Sequence, residues 1–258
     1  EIVVKSAGVV AGTLAVSDDD ISLNNDITVG TGSGLKTIGI KDPVTNPDID
    51  INLIAADRIN IVDEATADTQ GGIVGASSTE VDATIEHNNK ISVAGTIDSN
   101  YDVKLGAGEG SVMNVTLKSN AYNKTAAPLI ALPLLNKDVE QNNNIIIGVK
   151  PTNGVVTSTD ELNEDAGTIK ASRNIDIFAD NGDTTVITQA QSWRWTTGGL
   201  TGTSSIASTA DGTGESIGEF DNSVEIYGKL LAGKNNVLNI TINDGLGVPV
   251  EEGNSADT

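Results

Sequence analysis

Aliphatic and polar residues alternate in many short stretches of this chain, as in Val103-Lys-Leu105 and Ile175-Asp-Ile177. A period of two puts successive side chains on opposite faces of an extended strand, one face buried. No stretch keeps a helical period over three turns, so an all-β chain is predicted. Four segments repeat one pattern: Gly, an aliphatic residue soon after, a short polar bend, Asp or Asn, and a second strand. They run from Gly12 to Leu23, Gly95 to Leu105, Gly167 to Ile177 and Gly228 to Ile240, with a partial fifth from Leu53 to Ile61. Short strands with turn signals suit a sandwich, a barrel or a solenoid. Internal similarity favours the solenoid, because stacked repeats recur at a period. The spacings between the four glycines, 83, 72 and 61 residues, read as four, three and three turns of about 20–24 residues each. About twelve rungs 4.8 Å apart would make a rod roughly 55–60 Å long.

In that reading Asn and Asp occupy the bends: Asn24-Asn25, Asn88-Asn89, Asn142-Asn143-Asn144, Asn181 and Asn235-Asn236. Asn tolerates left-handed backbone and bonds its own main chain. Stacked in successive rungs, its amides form ladders. Gly12, Gly95, Gly167 and Gly228 are expected at corners with no room for a Cβ. Asp176 is expected to face water, and Asp180, Asn181 and Asp183 to form a turn around Gly182. A Ca²⁺ loop is the competing reading of that turn. Neither the EF-hand spacing nor the glycine-rich calcium nonapeptide is met. Asp18-Asp19-Asp20 reads as a solvated bend. His87, the one histidine, reads as a polar bend residue, since neither metal ligands nor a nucleophile elbow accompany it.

Composition sharpens the picture. Aromatic residues make up 3% and there is one Met, so the core must be built from Ile, Val, Leu and Ala. That suits stacked strands better than a compact sandwich. The net charge of −21 argues against nucleic acid and anionic membrane surfaces. Cys is absent, so stability is expected from repetition rather than disulfides. The longest apolar run, Ala126 to Leu135, is too short to span a membrane and carries Pro128 and Pro133. The first residue is Glu, which suggests a processed chain or a piece of a longer one. Val248 to Thr258 reads as a linker.

From about Gly71 to Asp244 the chain resembles the leukotoxin-type filamentous adhesins, filamentous-haemagglutinin-like surface proteins of anaerobic bacteria. The resemblance lies in Val81-Asp-Ala-Thr-Ile85, His87-Asn-Asn-Lys90 and Val93 to Ala107, then Ser119 to Thr125 and Arg173 to Asp183, and last Tyr227 to Gly233 with Asn239-Ile-Thr-Ile242. Residues before Gly71 match only the general strand pattern. The resemblance implies a right-handed parallel β-helix, export and display at the bacterial cell surface. It implies no catalytic residue.

The domain reading is a β-helix over 1–247, with insertions near 121–141 and 191–220, and a tail over 248–258. Prolines keep the first insertion out of a central strand. Gln191 to Gly199 holds both tryptophans and one of three arginines. A stretch poor in periodicity follows, read as a loop bulging from the rod. Trp193, Arg194 and Trp195 are therefore the candidate contacts for a glycan or protein partner. The competing reading packs the tryptophans against the flank of the helix. No cofactor, metal ligand or catalytic residue is assigned. The function expected is a non-catalytic structural or adhesive rod of a secreted surface protein. Its partners would be a host or neighbouring-cell protein or glycan, with self-association into fibres as a further expectation. The alternative is a polysaccharide lyase or glycoside hydrolase on the same scaffold, which would need two carboxylates at a set separation.

Overall fold

The computed structural model describes residues 2–8, 10–38, 50–150, 167–196, 207–208, 216–233 and 238–242. Strands and their connections account for them, with no helix among the described residues. After β1 (Ile2–Ser6) the chain runs through β2 (Val10–Val29), β3 (Gly34–Lys36), β4 (Ile51–Ala55) and β5 (Arg58–Gln70). A second set is β6 (Val74–Val93), β7 (Thr96–Ser99), β8 (Val103–Ala107) and β9 (Val112–Thr125). A third is β10 (Ala127–Ile147), β11 (Thr168–Ala171), β12 (Ile175–Ala179) and β13 (Asp183–Thr196). The two-residue β14 (Ala207–Ser208) precedes β15 (Ser216–Ile226), β16 (Lys229–Leu231) and β17 (Leu238–Ile242).

Four sheets result, visited in the same order each time. The long sheet is β2-β6-β10-β15, the corner sheet β3-β7-β11-β16 and the short sheet β4-β8-β12-β17. The facing sheet is β1-β5-β9-β13, with β14 added on its edge. All pairings are parallel except β13 with β14. Parallel pairing demands a crossover between neighbours. Here the other three sheets supply it.

The circuit is much longer than its sequence repeat suggests. Thr96 pairs directly with Thr168, and Thr168 with Lys229. Each of these residues follows a corner glycine: Gly95, Gly167 and Gly228. The interval from one such glycine to the next is therefore one circuit rather than three short turns. The estimate of twelve rungs is thereby corrected to four circuits. The reason is strand length: β2 and β6 have 20 residues and β10 has 21. At 3.3 Å per residue such a strand is about 65 Å long, while four or five strands stacked 4.8 Å apart rise only about 15–20 Å. The described part is therefore wide across the circuit and short along the stacking direction.

Gly95, Gly167 and Gly228 stack at the corner as expected. A Cβ on any of them would come within 3.0 Å of neighbouring backbone. Gly12 is different. It lies inside β2, pairs with Ala76, and a Cβ there would meet nothing. The first circuit carries Ser33 at the corner instead, next to Gly34, which pairs with Thr96.

Two apolar clusters fill the interior. One joins the second half of the long sheet to the corner and short sheets through Ile91, Val93, Ile97, Leu105, Ile145 and Ile177. The other joins its first half to the facing sheet through Ala65, Val81, Ile85, Val115, Leu117 and Val139. Most belong to columns of equivalent positions, such as Ile21, Ile85 and Val139, or Leu53, Leu105 and Ile177. Burying each such side chain stabilises by about 1.5–3 kcal/mol. Small branched residues suffice because each packs on its own equivalent one strand away.

Residues 121–141 are not an insertion. They run through the end of β9 and into β10, in register with β6 apart from a shift between Pro128 and Ile130. Proline is tolerated because β15 joins β10 only from Lys137 onward. Before that point β10 has β6 on one side and no strand on the other among the described residues, so Pro128 and Pro133 sit at a local edge. The second insertion, near 191–220, lies mostly outside the described residues. Within one column of the long sheet, Asn89 and Asn143 are separated by 54 positions, but Asn143 and Asn222 by 79. Most of the extra length falls between β10 and β11: Ile147 pairs with Val93 and Thr168 with Thr96, so 21 positions stand where the preceding circuit has 3. That stretch lies largely outside the described residues, as does the whole of 248–258.

Candidate functional site

Position 193 on β13 pairs with Tyr122 on β9, and both side chains point away from the interior apolar clusters. The rings of Trp193 and Tyr122 stack face to face, centroids 4.3 Å apart and planes 5° apart. One face of the indole is thus covered by the neighbouring circuit. On the other side β14 pairs Ser208 with Trp193 and Ala207 with Arg194. Arg194 is exposed. Trp195 lies on the same strand, paired with Lys124, and its side chain is outside the described residues. Arg194 pairs with Asn123, so it leaves β13 on the face opposite Trp193. An exposed guanidinium can meet an anionic or hydroxyl-rich partner. Other aromatics are also tied across circuits or along strands. The Arg173 guanidinium sits 3.9 Å from the Tyr101 ring centre, and the Lys104 ammonium 5.1 Å from that of Phe178. Tyr227 donates its hydroxyl proton to Glu225, which holds the Glu225 carboxyl below its ordinary range and the Tyr227 hydroxyl above its own.

Three of the asparagine runs are in strands, not bends, and Asn235-Asn236 lies outside the described residues. Asn24 and Asn25 lie in β2, Asn88 and Asn89 in β6, and Asn142 to Asn144 in β10. They do form ladders, one on each face of the long sheet. On the inner face Asn25 donates to Asn89 at 3.1 Å, Asn89 to Asn143 at 2.8 Å and Asn143 to Asn222 at 2.7 Å. Asn143 also donates to Asn181 at 3.0 Å, and Asn25 to Asp57 at 2.7 Å. Asn89 and Asn143 are fully buried. On the outer face the direction reverses: Asn142 donates to Asn88 and Asn88 to Asn24, both at 2.9 Å. A signal for the inner ladder was present in the sequence. Asn25-Asp-Ile-Thr-Val29, Asn89-Lys-Ile-Ser-Val93, Asn143-Asn-Ile-Ile-Ile147 and Asn222-Ser-Val-Glu-Ile226 share Asn, then aliphatic residues two and four places on.

Asp57 and His87 border this seam. His87 is not a bend residue: it lies in β6, fully buried, between Leu23 and Gln141 in its column. Its Nε2 is 2.9 Å from Oδ1 of Asp57, yet the angles are poor and neither ring nitrogen makes a hydrogen bond. Gln141 donates to the carbonyl of Asn181 and accepts from Thr184. Asp180 and Asn181 form the expected turn, with Gly182 at φ 63°. Asp176 alternates between buried Ile175 and Ile177. The Asp before β4 and the Asp before β8 each tie one circuit to the next. Asp50 accepts from the backbone N–H of Asp102, and Asp102 from that of Asn174.

Asp18-Asp19-Asp20 is a strand segment, not a bend. Asp18 and Asp20 face out, whereas Asp19 faces in, half-buried, toward Asp63. Asp63 is 5% exposed and accepts from Ser17 at 2.7 Å. Its other oxygen is buried with no donor. Burial raises the Asp19 carboxyl first, and Asp63 adds to it. The folded chain thus holds the Asp19 proton more tightly than the unfolded chain. The resulting penalty is full at neutral pH and fades as pH falls through the raised value toward the ordinary 3.8. Asp19→Asn is expected to raise the urea midpoint at pH 7, with the gain shrinking as pH is lowered. A gain independent of pH would reject this account.

No group of three or more His, Cys, Asp or Glu side chains among the described residues is set to hold a metal ion. No helix among them is long and apolar enough to cross a membrane. Comparison with protein-family models, curated proteins and solved structures returns no match.

Proposed function

We propose that the chain is a non-catalytic structural and adhesive segment of a large secreted bacterial surface protein. On this reading it is a right-handed parallel β-helix of the leukotoxin-type, filamentous-haemagglutinin-like adhesin kind, whose partner is a host or neighbouring-cell protein or glycan. One observation supports it above others: polar and aromatic side chains are spent on their equivalents in adjacent circuits. The asparagine ladders, the Tyr122–Trp193 stack and the Asp50–Asp102–Asn174 series all bond along the stacking direction. Such a body is built to persist, and it leaves contact to side chains that stay exposed. Arg194, exposed near the end of β13, is the contact residue proposed.

The test is binding of the purified chain to a glycan panel and to cultured host cells. Saturable binding that falls severalfold in Arg194→Ala, without turnover of any glycan, is the expected result. The competing reading of a glycan-degrading enzyme rests on the Asp19–Asp63 pair. Release of sugar products, abolished by Asp19→Asn, would replace the adhesive reading with that one.

A further inference from the structure

Asn181-Gly182 is one of two Asn-Gly pairs in the chain, and the other, Asn153-Gly154, lies outside the described residues. In such a pair the glycine nitrogen can attack the asparagine side-chain carbon and close a five-membered ring. Closure needs an unhindered nitrogen, a base for its proton and a donor for the oxygen that takes up negative charge. The turn between β12 and β13 brings these together. Gly182 has no Cβ to obstruct the nitrogen, and none would fit, since it would strike the carbonyl oxygen of Ser111. The Gly182 N–H donates to Oδ1 of Asp180 at 3.4 Å, so a carboxylate stands where the proton leaves. Oδ1 of Asn181 accepts from Nδ2 of Asn143 at 3.0 Å. That donor draws electron density from the side-chain carbon and tightens as the oxygen becomes an anion.

The rest of the turn is held. The Asn181 main-chain carbonyl accepts from Nε2 of Gln141 at 2.9 Å and from Oγ1 of Thr184 at 3.3 Å. Asp180 donates its N–H to the Ala107 carbonyl at 3.0 Å, and Asp183 to that of Ser111 at 2.9 Å. Asn181 itself is only partly buried, so water reaches its side chain. The long-sheet asparagines are placed differently. Asn88, Asn89 and Asn142 to Asn144 lie in strands paired on both sides. The residue that follows each has a side chain, and its nitrogen is committed to the sheet.

We infer that Asn181 is a site of self-modification, converted through a cyclic imide to aspartate and isoaspartate. The Gly182 nitrogen bonds to Cγ of Asn181 while its proton passes to Oδ1 of Asp180. The oxyanion forms against Nδ2 of Asn143. The bond from Cγ to Nδ2 of Asn181 then breaks, and that nitrogen leaves as ammonia with the proton returned by Asp180. Water opens the ring. Cleavage between the Gly182 nitrogen and Cγ gives aspartate, and cleavage at the main-chain carbonyl carbon gives isoaspartate, with the chain routed through the side chain. Isoaspartate lengthens the main chain by one methylene where there is no slack, because Gly182 lies tight against the carbonyl oxygens of Ser111 and Gly108. The carbonyl shared by Gln141 and Thr184 is carried away, and the turn comes loose from the long sheet. The wall therefore ages first at this turn. The step needs no partner, so it stands independently of the adhesive reading.

The test follows the full chain at neutral pH and body temperature, folded in buffer and unfolded in guanidinium chloride. Mass spectrometry of the tryptic peptide spanning 174–194 reads the loss of ammonia and the later amide-to-acid change, and isoaspartate methyltransferase labelling reads the rerouted product. Asn181 is expected to convert about tenfold faster in the folded chain than in the unfolded one. Asp180→Asn keeps an acceptor for the Gly182 N–H but removes the base. It should return the folded rate to that of the unfolded chain, with a circular dichroism spectrum unchanged from wild type. Folded wild type converting no faster than unfolded, or folded Asp180→Asn converting as fast as wild type, would overturn the inference. The comparison of folded with unfolded wild type decides the matter even where the variant does not fold.

Discussion

Gly167→Ala is expected to cost roughly 4–5 kcal/mol, a large share of the about 5–15 that holds an ordinary domain folded. Two costs add. Gly167 has φ 71°, a conformation that costs an L-residue about 1–2 kcal/mol. Its Cβ would also fall closer than 3.0 Å to the N and Cα of Gly148 and to the carbonyl oxygen of Val93. Those atoms are backbone of packed neighbours, and Gly167 itself donates its N–H to Ala94 across the circuit. Neither side can yield without shifting a strand. Gly12→Ala is the control, since a Cβ there meets nothing and Ala is favoured over Gly inside a strand by about 0.5–1 kcal/mol. Urea unfolding followed by circular dichroism compares them. Equal midpoints would show that the corner does not depend on close backbone contact.

Asn143→Ala is the second large effect, with an expected loss of about 3 kcal/mol. Asn143 is the hub of the inner ladder: it accepts from Asn89 and donates to both Asn181 and Asn222. Its removal leaves the Asn89 amide and two carbonyl oxygens without their partner in a place water does not reach, and opens a cavity as well. Each orphaned buried group costs about 1–3 kcal/mol. Its neighbour Asn142 donates to Asn88 on the outer face, where water can replace the bond. Asn142→Ala should therefore cost only about 0.5–1 kcal/mol. Similar losses in the two variants would mean that the ladder is not a buried network.

Much of the wall was legible from pattern. The alternation in Ile175-Asp-Ile177 located a strand and put Asp176 on the outside. The Gly95, Gly167 and Gly228 motifs marked equivalent corners, and the asparagine runs were rightly expected to stack. What misled was the content of the interval between corners. Glycine spacing shows that a structure recurs, but not how many strands lie between recurrences. A stretch such as Val74 to Val93, with Ser, Thr, Glu, His and Asn among its residues, does not look like one strand when polar residues imply bends. It is one strand in which inward-facing Thr79 and Asn89 find partners, Ser119 and Asn143, on other strands.

Residue type and period alone determined that the chain would be all strand, with aliphatic columns and glycine corners. They could do so because pleat and steric fit at a backbone contact are local properties. Only the tertiary structure decided that His87, Asn89 and Asp19 face inward, that Trp193 lies against Tyr122, and that a single circuit fills the whole interval between corners. Each depends on which residue stands in the next strand, as far off as 54 positions for Asn89 and Asn143 or 79 for Asn143 and Asn222. A buried amide is tolerable only when that neighbour completes its hydrogen bond.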